Sequence, residues 1–266
     1  MNLNSPRNLL KQYDAKPSKG LGQNFLVDKG ALSKIVEAAK IKPTDTIVEI
    51  GPGTGVLTRA LAEKAKKVIA IEKDRKMIEV LKETLKGYEN VQIIEGDVLE
   101  TDINLPKAYK VVANLPYYIT SPIIRKFLEE KNSPELMILM VQKEVGQRIC
   151  SKPPEMSILS VSVQFYGKPE IVSYVSKNSF WPSPKVDSAI VKITDIKKPK
   201  IDADSFFKIV KAGFSQPRKQ IAGNFHKILK LDKERIKAWL EKNTVAPEQR
   251  AETLFVKDWV NLTNTF

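Results

Sequence analysis

One cysteine, Cys150, and one histidine, His226, are all that 266 residues supply of two side chains that often bind transition metals. A single cysteine excludes an intramolecular disulfide and fits a reducing compartment. A lone histidine argues against a His-rich metal site, so the chemistry expected here uses neither metal nor imidazole. No apolar stretch approaches the roughly 20 residues that a membrane-spanning helix needs. The start MNLNSPRNLLKQYD lacks the cationic-then-apolar pattern of a secretory signal. The expectation is a cytoplasmic protein with no membrane partner.

Acidic residues are also in short supply, 31 against 44 Lys and Arg, for a net charge of +13. The excess is uneven. Residues 1–42 hold 8 basic and 3 acidic side chains, and 197–235 hold 11 and 4, whereas 43–196 hold 21 and 20. Two basic flanks around a neutral middle are the electrostatic footprint of a polyanion partner. The plainer alternative is a lysine-rich solvated surface.

What is present, between 46 and 142, is an alternation of short apolar runs with longer amphipathic ones. TIVEI (46–50), VIAIE (68–72), VQIIE (91–95), YKVVAN (109–114) and ELMILMV (135–141) read as buried parallel strands. Helical spacing fills 56–66, 74–87 and 121–130. Such alternation implies right-handed βαβ units in a doubly wound sheet. Two more strands, 170–176 and 186–193, flank the proline-punctuated SFWPSPK and suit a closing antiparallel hairpin. Beyond Pro199 the pattern changes to short helices at 205–214, 217–230, 232–242 and 255–264. The expected division is therefore an α/β domain over 1–198 and a small helical domain over 199–266.

VEIGPGTGVLT places Gly51, Gly53 and Gly55 between the first of these strands and a helix. Glycines there allow a sharp turn and bring a ligand against the main chain. Their spacing is G-x-G-x-G, not the dinucleotide G-x-G-x-x-G, and Pro52 removes a backbone donor. Glu72 ends the next strand, near the offset of about 20 residues at which an acid reaches ribose hydroxyls. Asp97 follows the third. All three features fall at carboxyl ends of strands, where open α/β sheets bind ligands. Singly, each also reads as a turn or a surface carboxylate. Together they indicate an adenosine-bearing cofactor without a pyrophosphate, and S-adenosylmethionine fits.

In VVANLPYYITSP, an apolar run ends on Asn114 and passes into Leu115, Pro116 and paired tyrosines. An adenine amine needs no strong base to be alkylated. It gains from two acceptors that hold its N–H bonds and turn its lone pair toward the methyl donor. The Asn114 side-chain oxygen and a backbone carbonyl near Leu115–Pro116 can supply both, while Tyr117 can stack on the base. A strand-ending β-turn is the alternative for this tetrapeptide alone.

NLPYYIT resembles the amino-methyltransferase motif of the rRNA adenine N6-dimethyltransferases, in particular the KsgA (RsmA) family. The resemblance takes in KGLGQNFLVD (19–28), EIGPGTGVLT, Glu72, Gly96–Asp97, QKEVGQRI (142–149) and FWPSPKVDSA (180–189), in order along most of the chain. It implies a Rossmann-like class I methyltransferase fold with seven mostly parallel strands and a small all-helical C-terminal domain. The implied reaction dimethylates two adjacent adenosines in the 3′-terminal hairpin of 16S rRNA, within the 30S subunit or its precursor. S-adenosyl-L-methionine is the implied donor and S-adenosyl-L-homocysteine the product.

Carried over residue by residue, the resemblance implies cofactor contacts at Gln23, Asn24, Leu26, Gly51, Gly53, Gly55, Glu72, Asp97, Val98 and Asn114. Asn114, Leu115, Pro116, Tyr117 and Phe180 would form the acceptor slot, though Phe180 by itself reads as a core residue. Lys19, Arg218, Lys219 and Lys227 would contact RNA, the last three on a basic helical stretch. No metal is implied, and a monomer is the default. Tyr118 departs from the family, which usually has a second asparagine there. The rival readings are a large-subunit (23S) rRNA dimethyltransferase of the macrolide-resistance type, a non-catalytic ribosome-assembly or transcription factor on the same fold, and, more distantly, a dinucleotide-dependent oxidoreductase.

Overall fold

Nine strands alternate with eleven helices among residues 6–18 and 20–266, which the computed structural model describes. The strands are β1 (Phe25–Leu26), β2 (Thr46–Ile50), β3 (Lys67–Glu72), β4 (Val91–Glu95), β5 (Lys110–Asn114), β6 (Leu136–Gln142), β7 (Lys168–Val175), β8 (Phe180–Trp181) and β9 (Ser188–Thr194). The helices are α1 (Pro6–Gln12), α2 (Lys29–Ala38), α3 (Val56–Ala62), α4 (Arg75–Thr84), α5 (Thr120–Glu129), α6 (Lys143–Ile149), α7 (Ile158–Tyr166), α8 (Ala203–Gly213), α9 (Ile221–Leu229), α10 (Lys233–Lys242) and α11 (Val256–Asn264).

Seven strands form one sheet in the order β4-β3-β2-β5-β6-β9-β7. Pairing is parallel from β4 through β6, and β9 runs antiparallel to β6. The middle strands are predominantly apolar because helices cover both faces of a parallel sheet; β6 buries all but its last residue, and β2 carries one buried carboxylate, Glu49. At the edge, β7 alternates exposed and half-buried positions, as a strand with one wet face must. The order reverses between β2 and β5, where the chain turns from building leftward to building rightward. That switch point opens a crevice at the carboxyl ends of the strands.

Helix starts are fixed locally. Asp28 accepts from the Ala31 amide at the start of α2, and Asp74 from the Lys76 amide at the start of α4, each satisfying an amide that has no partner within its helix.

The chain forms two compact units. One runs to Gly146 and resumes over Pro169–Ile196; the other comprises Gln147–Lys168 and Lys197–Phe266. The second unit thus includes α7 as well as the C-terminal helices. Its core is aromatic: Phe165 stacks on Phe206 at 3.8 Å between ring centroids, and Phe214 on Trp259 at 5.4 Å. The basic stretch 217–230 is helical only from Ile221. Pro217 has no amide to offer a helix, and Arg218 and Lys219 lie in the exposed turn that follows α8. The buried Asn224 braces that turn by donating to the Gly213 and Gln216 carbonyls.

Candidate active site

The crevice at the switch point is lined by the loops after β2, β3, β4 and β5 and by residues 21–26. One side of it is built around Glu72. This carboxylate is nearly buried at the end of β3; it accepts from the Gly53 amide at 3.1 Å and the Asp74 amide at 2.9 Å. Burial raises its pKa despite these hydrogen bonds. The glycine turn is thereby locked: Gly51 donates to the Ile71 carbonyl, Gly53 to Glu72 and Gly55 to the Pro52 carbonyl. Pro52 has no amide at all. A turn whose glycine donors are all committed has none of them to offer a pyrophosphate, and the buried Glu72 carboxylate disfavours one. Both features fit a cationic, phosphate-free cofactor.

Gly53 also needs to be glycine for a steric reason. Its φ is +57°, and a Cβ there would lie 3.0 Å from the Phe25 ring. Gly55 faces the other way. It does not line the crevice, and a Cβ would press on Leu81, Thr84 and Leu85 at the end of α4. Its role in this structure is helix packing.

Asp97 is already engaged on both oxygens, by the Leu99 amide at 2.9 Å and by the Lys73 ammonium at 2.7 Å. Lys73 and these hydrogen bonds hold its carboxyl below the usual range. Val98 lies beside it, buried in the lining.

Across the crevice, β5 ends at Asn114. Its amide nitrogen donates to the Asn24 carbonyl at 3.2 Å, leaving its oxygen as an acceptor that takes no hydrogen bond among the described residues. Leu115 is buried and donates to the Met140 carbonyl, continuing the alignment with β6 for one residue. The Pro116 carbonyl receives the Ile119 amide and closes a 3₁₀ turn over Tyr117–Ile119. The Tyr117 hydroxyl shares a 2.8 Å hydrogen bond with Ser188 of β9, which fixes its ring; burial raises its pKa, so it remains a neutral phenol.

Residues 21–26 close one wall. Gln23 donates to Asp74 at 2.8 Å and receives the Ser18 amide, and Asn24 donates to the Gly22 carbonyl. β1 then pairs antiparallel with β8, Phe25 opposite Trp181 and Leu26 opposite Phe180. The QNFL and FWPSP segments are thus one two-stranded unit. The structure does not bring Phe180 to the crevice: its ring is 4% exposed and packs in the core with Leu26 and Ile35. Arg218, Lys219 and Lys227 are exposed in the second unit. Lys19 lies outside the described residues.

Three lining residues escaped sequence reasoning. Glu49 is 1% exposed, its Oε2 makes no hydrogen bond among the described residues, and burial pushes it up to about 8, with the Glu72 charge acting in the same direction. A carboxylate inside an otherwise apolar buried strand was the available signal. Lys73, next to Glu72 in sequence, pairs with Asp97. Tyr118 lines the mouth and is 56% exposed.

The family model described as ribosomal RNA adenine dimethylase matches residues 15–266. The chain belongs to the ribosomal RNA adenine dimethylase family. It is 46% identical to the ribosomal RNA small subunit methyltransferase A of Dehalococcoides mccartyi, over 96% of this chain and 90% of that one. To the protein of the same name from Alkaliphilus metalliredigens it is 41% identical, over 96% and 93%. Among solved structures, a dimethyladenosine transferase from Plasmodium falciparum matches with a TM-score of 0.76 and 32% identity, over 90% of this chain and 95% of that one. The 23S rRNA methyltransferase ErmE matches with a TM-score of 0.74 and 28% identity, over 91% and 99%. The seven-stranded sheet and helical C-terminal region are those of methyltransferases. Among the described residues, no helix of this dimethylase-family chain is long and apolar enough to cross a membrane.

Proposed function

We propose that this protein moves methyl groups from S-adenosylmethionine to the N6 amines of two adjacent adenosines near the 3′ end of small-subunit (16S) ribosomal RNA, in the 30S subunit or its precursor, acting as a cytoplasmic monomer. One observation carries the reading: a neutral amide, Asn114, presents a spare acceptor oxygen to a crevice furnished with carboxylates. The choice of small-subunit RNA follows the relatives at 41–46% identity, against 28% for the 23S enzyme.

The cofactor, when bound, supplies an electrophilic methyl on a cationic sulfur. Glu72 would attract that cation, joined by Glu49 once it ionises, and Glu72 would take ribose hydroxyls on its remaining lone pairs. Gln23, Asn24 and Leu26 close the wall, Gly51 and Gly53 let the main chain approach, and Asp97 with Val98 would border the adenine. On the acceptor side, the Asn114 oxygen and the Leu115 carbonyl would receive the two N–H bonds of N6. Neither forms a hydrogen bond as an acceptor among the described residues. Pro116 stiffens the turn between them. Held this way, the nitrogen presents its lone pair instead of its protons, and the rate gain is chiefly positional. Tyr117 stacks on the base. A proton leaves for solvent after alkylation, so no general base is needed. The basic flanks, including Arg218, Lys219 and Lys227 (and Lys19), would take RNA phosphates.

The test is transfer of labelled methyl to unmethylated small subunits, large subunits and naked RNA, followed by mapping of the modified base. Label on two adjacent small-subunit adenosines is expected. Label confined to large-subunit RNA would transfer the assignment to the ErmE-like activity, and no label on any particle would reject catalysis.

A further inference from the structure

Tyr117 and Tyr118 are consecutive residues of one 3₁₀ turn, and that geometry separates their directions by about a third of a turn. Tyr117 points to Ser188 and is fixed there. Tyr118 cannot share that environment, and it does not enter the core: it is 56% exposed while still lining the crevice mouth. One flank of its ring is backed. A Cβ on Gly22 would be 3.5 Å from the ring and 3.9 Å from Pro116 Cβ, so the bare backbone of that glycine, at φ +59°, lies close to both. A ring held close to the main chain while more than half exposed offers surface to a flat ligand at reduced ordering cost.

The charge at this mouth also favours a nucleic acid over a second cation. Asp97, the lining carboxylate nearest Lys73, is neutralised by it at 2.7 Å. A phosphodiester passing the mouth therefore does not meet an unpaired anion there.

We propose that Tyr118 forms a second nucleobase subsite, which stacks the unpaired base adjoining the adenosine being methylated. The proposal rests on the RNA methyltransferase reading above. A base presented to Asn114 has to leave its stack, and this exposes a face of its neighbour. Tyr118 covers that face. Any unpaired base can use it, since stacking on an aromatic ring is tolerant of sequence. With two adjacent target adenosines, each in turn becomes the neighbour of the other.

The experiment compares wild type with Tyr118→Ala, Tyr118→Phe and Tyr118→Trp on an unmethylated small-subunit RNA carrying 2-aminopurine beside one target adenosine. Stacking of one base is worth about 1–3 kcal/mol, so Tyr118→Ala should raise the KM for RNA about tenfold and abolish the quenching of 2-aminopurine seen on binding. Phe and Trp should restore both. S-adenosylhomocysteine affinity, measured by calorimetry, should change less than twofold. An unchanged KM and quench in Tyr118→Ala overturn the subsite, as does a tenfold loss of S-adenosylhomocysteine affinity with RNA binding intact, which would make Tyr118 a cofactor lid. Failure of the wild-type protein to methylate the RNA would instead reject the underlying function.

Discussion

The two sides of the crevice solve opposite electrostatic problems. The donor side holds Glu49, Glu72 and Asp97, with Glu49 and Glu72 almost wholly buried. The turn Asn114 through Tyr118 has no formally charged side chain among its five residues. Carboxylates suit a cationic donor, whose charge offsets part of the cost of burying them. A carboxylate at position 114 would compete for the same cation and misplace it, whereas an amide accepts an N–H without that attraction. On the proposed reading, discrimination between cofactor and base would lie in where charge is withheld as much as in where it is placed.

The largest effect should come from breaking the acceptor side. Asn114→Ala removes an acceptor whose value is greatest in the transition state, so kcat should fall about 10²–10³-fold, the range seen when one preorganised polar group is deleted. S-adenosylhomocysteine affinity should stay within about tenfold. Asn114→Asp is the sharper probe: similar shape with a charge should also lose activity, while near-wild-type turnover in either variant would discard the neutral-clamp model.

Breaking the donor side should cost less in rate and more in binding. Glu72→Ala removes the acceptor of both the Gly53 and Asp74 amides. Hydrogen bonds to a charged group are worth about 1.5–3 kcal/mol, so cofactor affinity should fall roughly 10–100-fold by calorimetry. A loss of activity with unaltered cofactor affinity would contradict the assignment of the two sides.

Much of this was legible in the chain before folding. The five parallel strands announced themselves as apolar runs, and the glycine turn, Glu72, Asp97 and Asn114 fall together at strand ends, as their spacing implied. What remained hidden was mostly non-local. β1 and β8 are two residues each, too short to carry a period, and their pairing joins segments about 150 residues apart. The same distance separates Ser179 from Asp28, whose side chains hydrogen-bond. Gly55 was indistinguishable from its neighbours because glycine spacing does not say which face of a turn meets a helix. α6 and α7 are short, separated by a proline-bearing segment, and too apolar in α7 to show a polar face. Tyr118 stood out in the sequence only as a departure from a family pattern.

Phe180 is the residue on which sequence pattern and structure pull apart. Composition makes it core, and the family resemblance makes it one wall of the base slot. Its ring is buried beside Leu26. Phe→Ala in a core costs about 3–5 kcal/mol, so Phe180→Ala should lower Tm by about 10 °C. If the ring also stacks on the base, the KM for RNA at a temperature where the variant is folded should rise about tenfold. A lower Tm with unchanged KM assigns it to the core alone and leaves the slot to the tyrosines.

The smallest effect sharpens the donor side through pH. Burial pushes the Glu49 carboxyl up to about 8 in the folded protein, against an ordinary 4.5. Between those values the native state keeps a proton that the unfolded chain has lost, so the stability tied to Glu49 is complete below about pH 4.5 and drains away as pH rises through 8. Glu49→Gln is neutral at every pH and should abolish this slope. Thermal denaturation without cofactor should therefore show variant and wild type nearly together at pH 5 and the variant melting higher at pH 9. A cationic ligand should narrow that gap, since it stabilises the ionised Glu49 and leaves the glutamine unaffected. Parallel melting curves across this range would mean that Glu49 is not proton-linked, and the donor side would then owe its cation preference to Glu72 and Asp97.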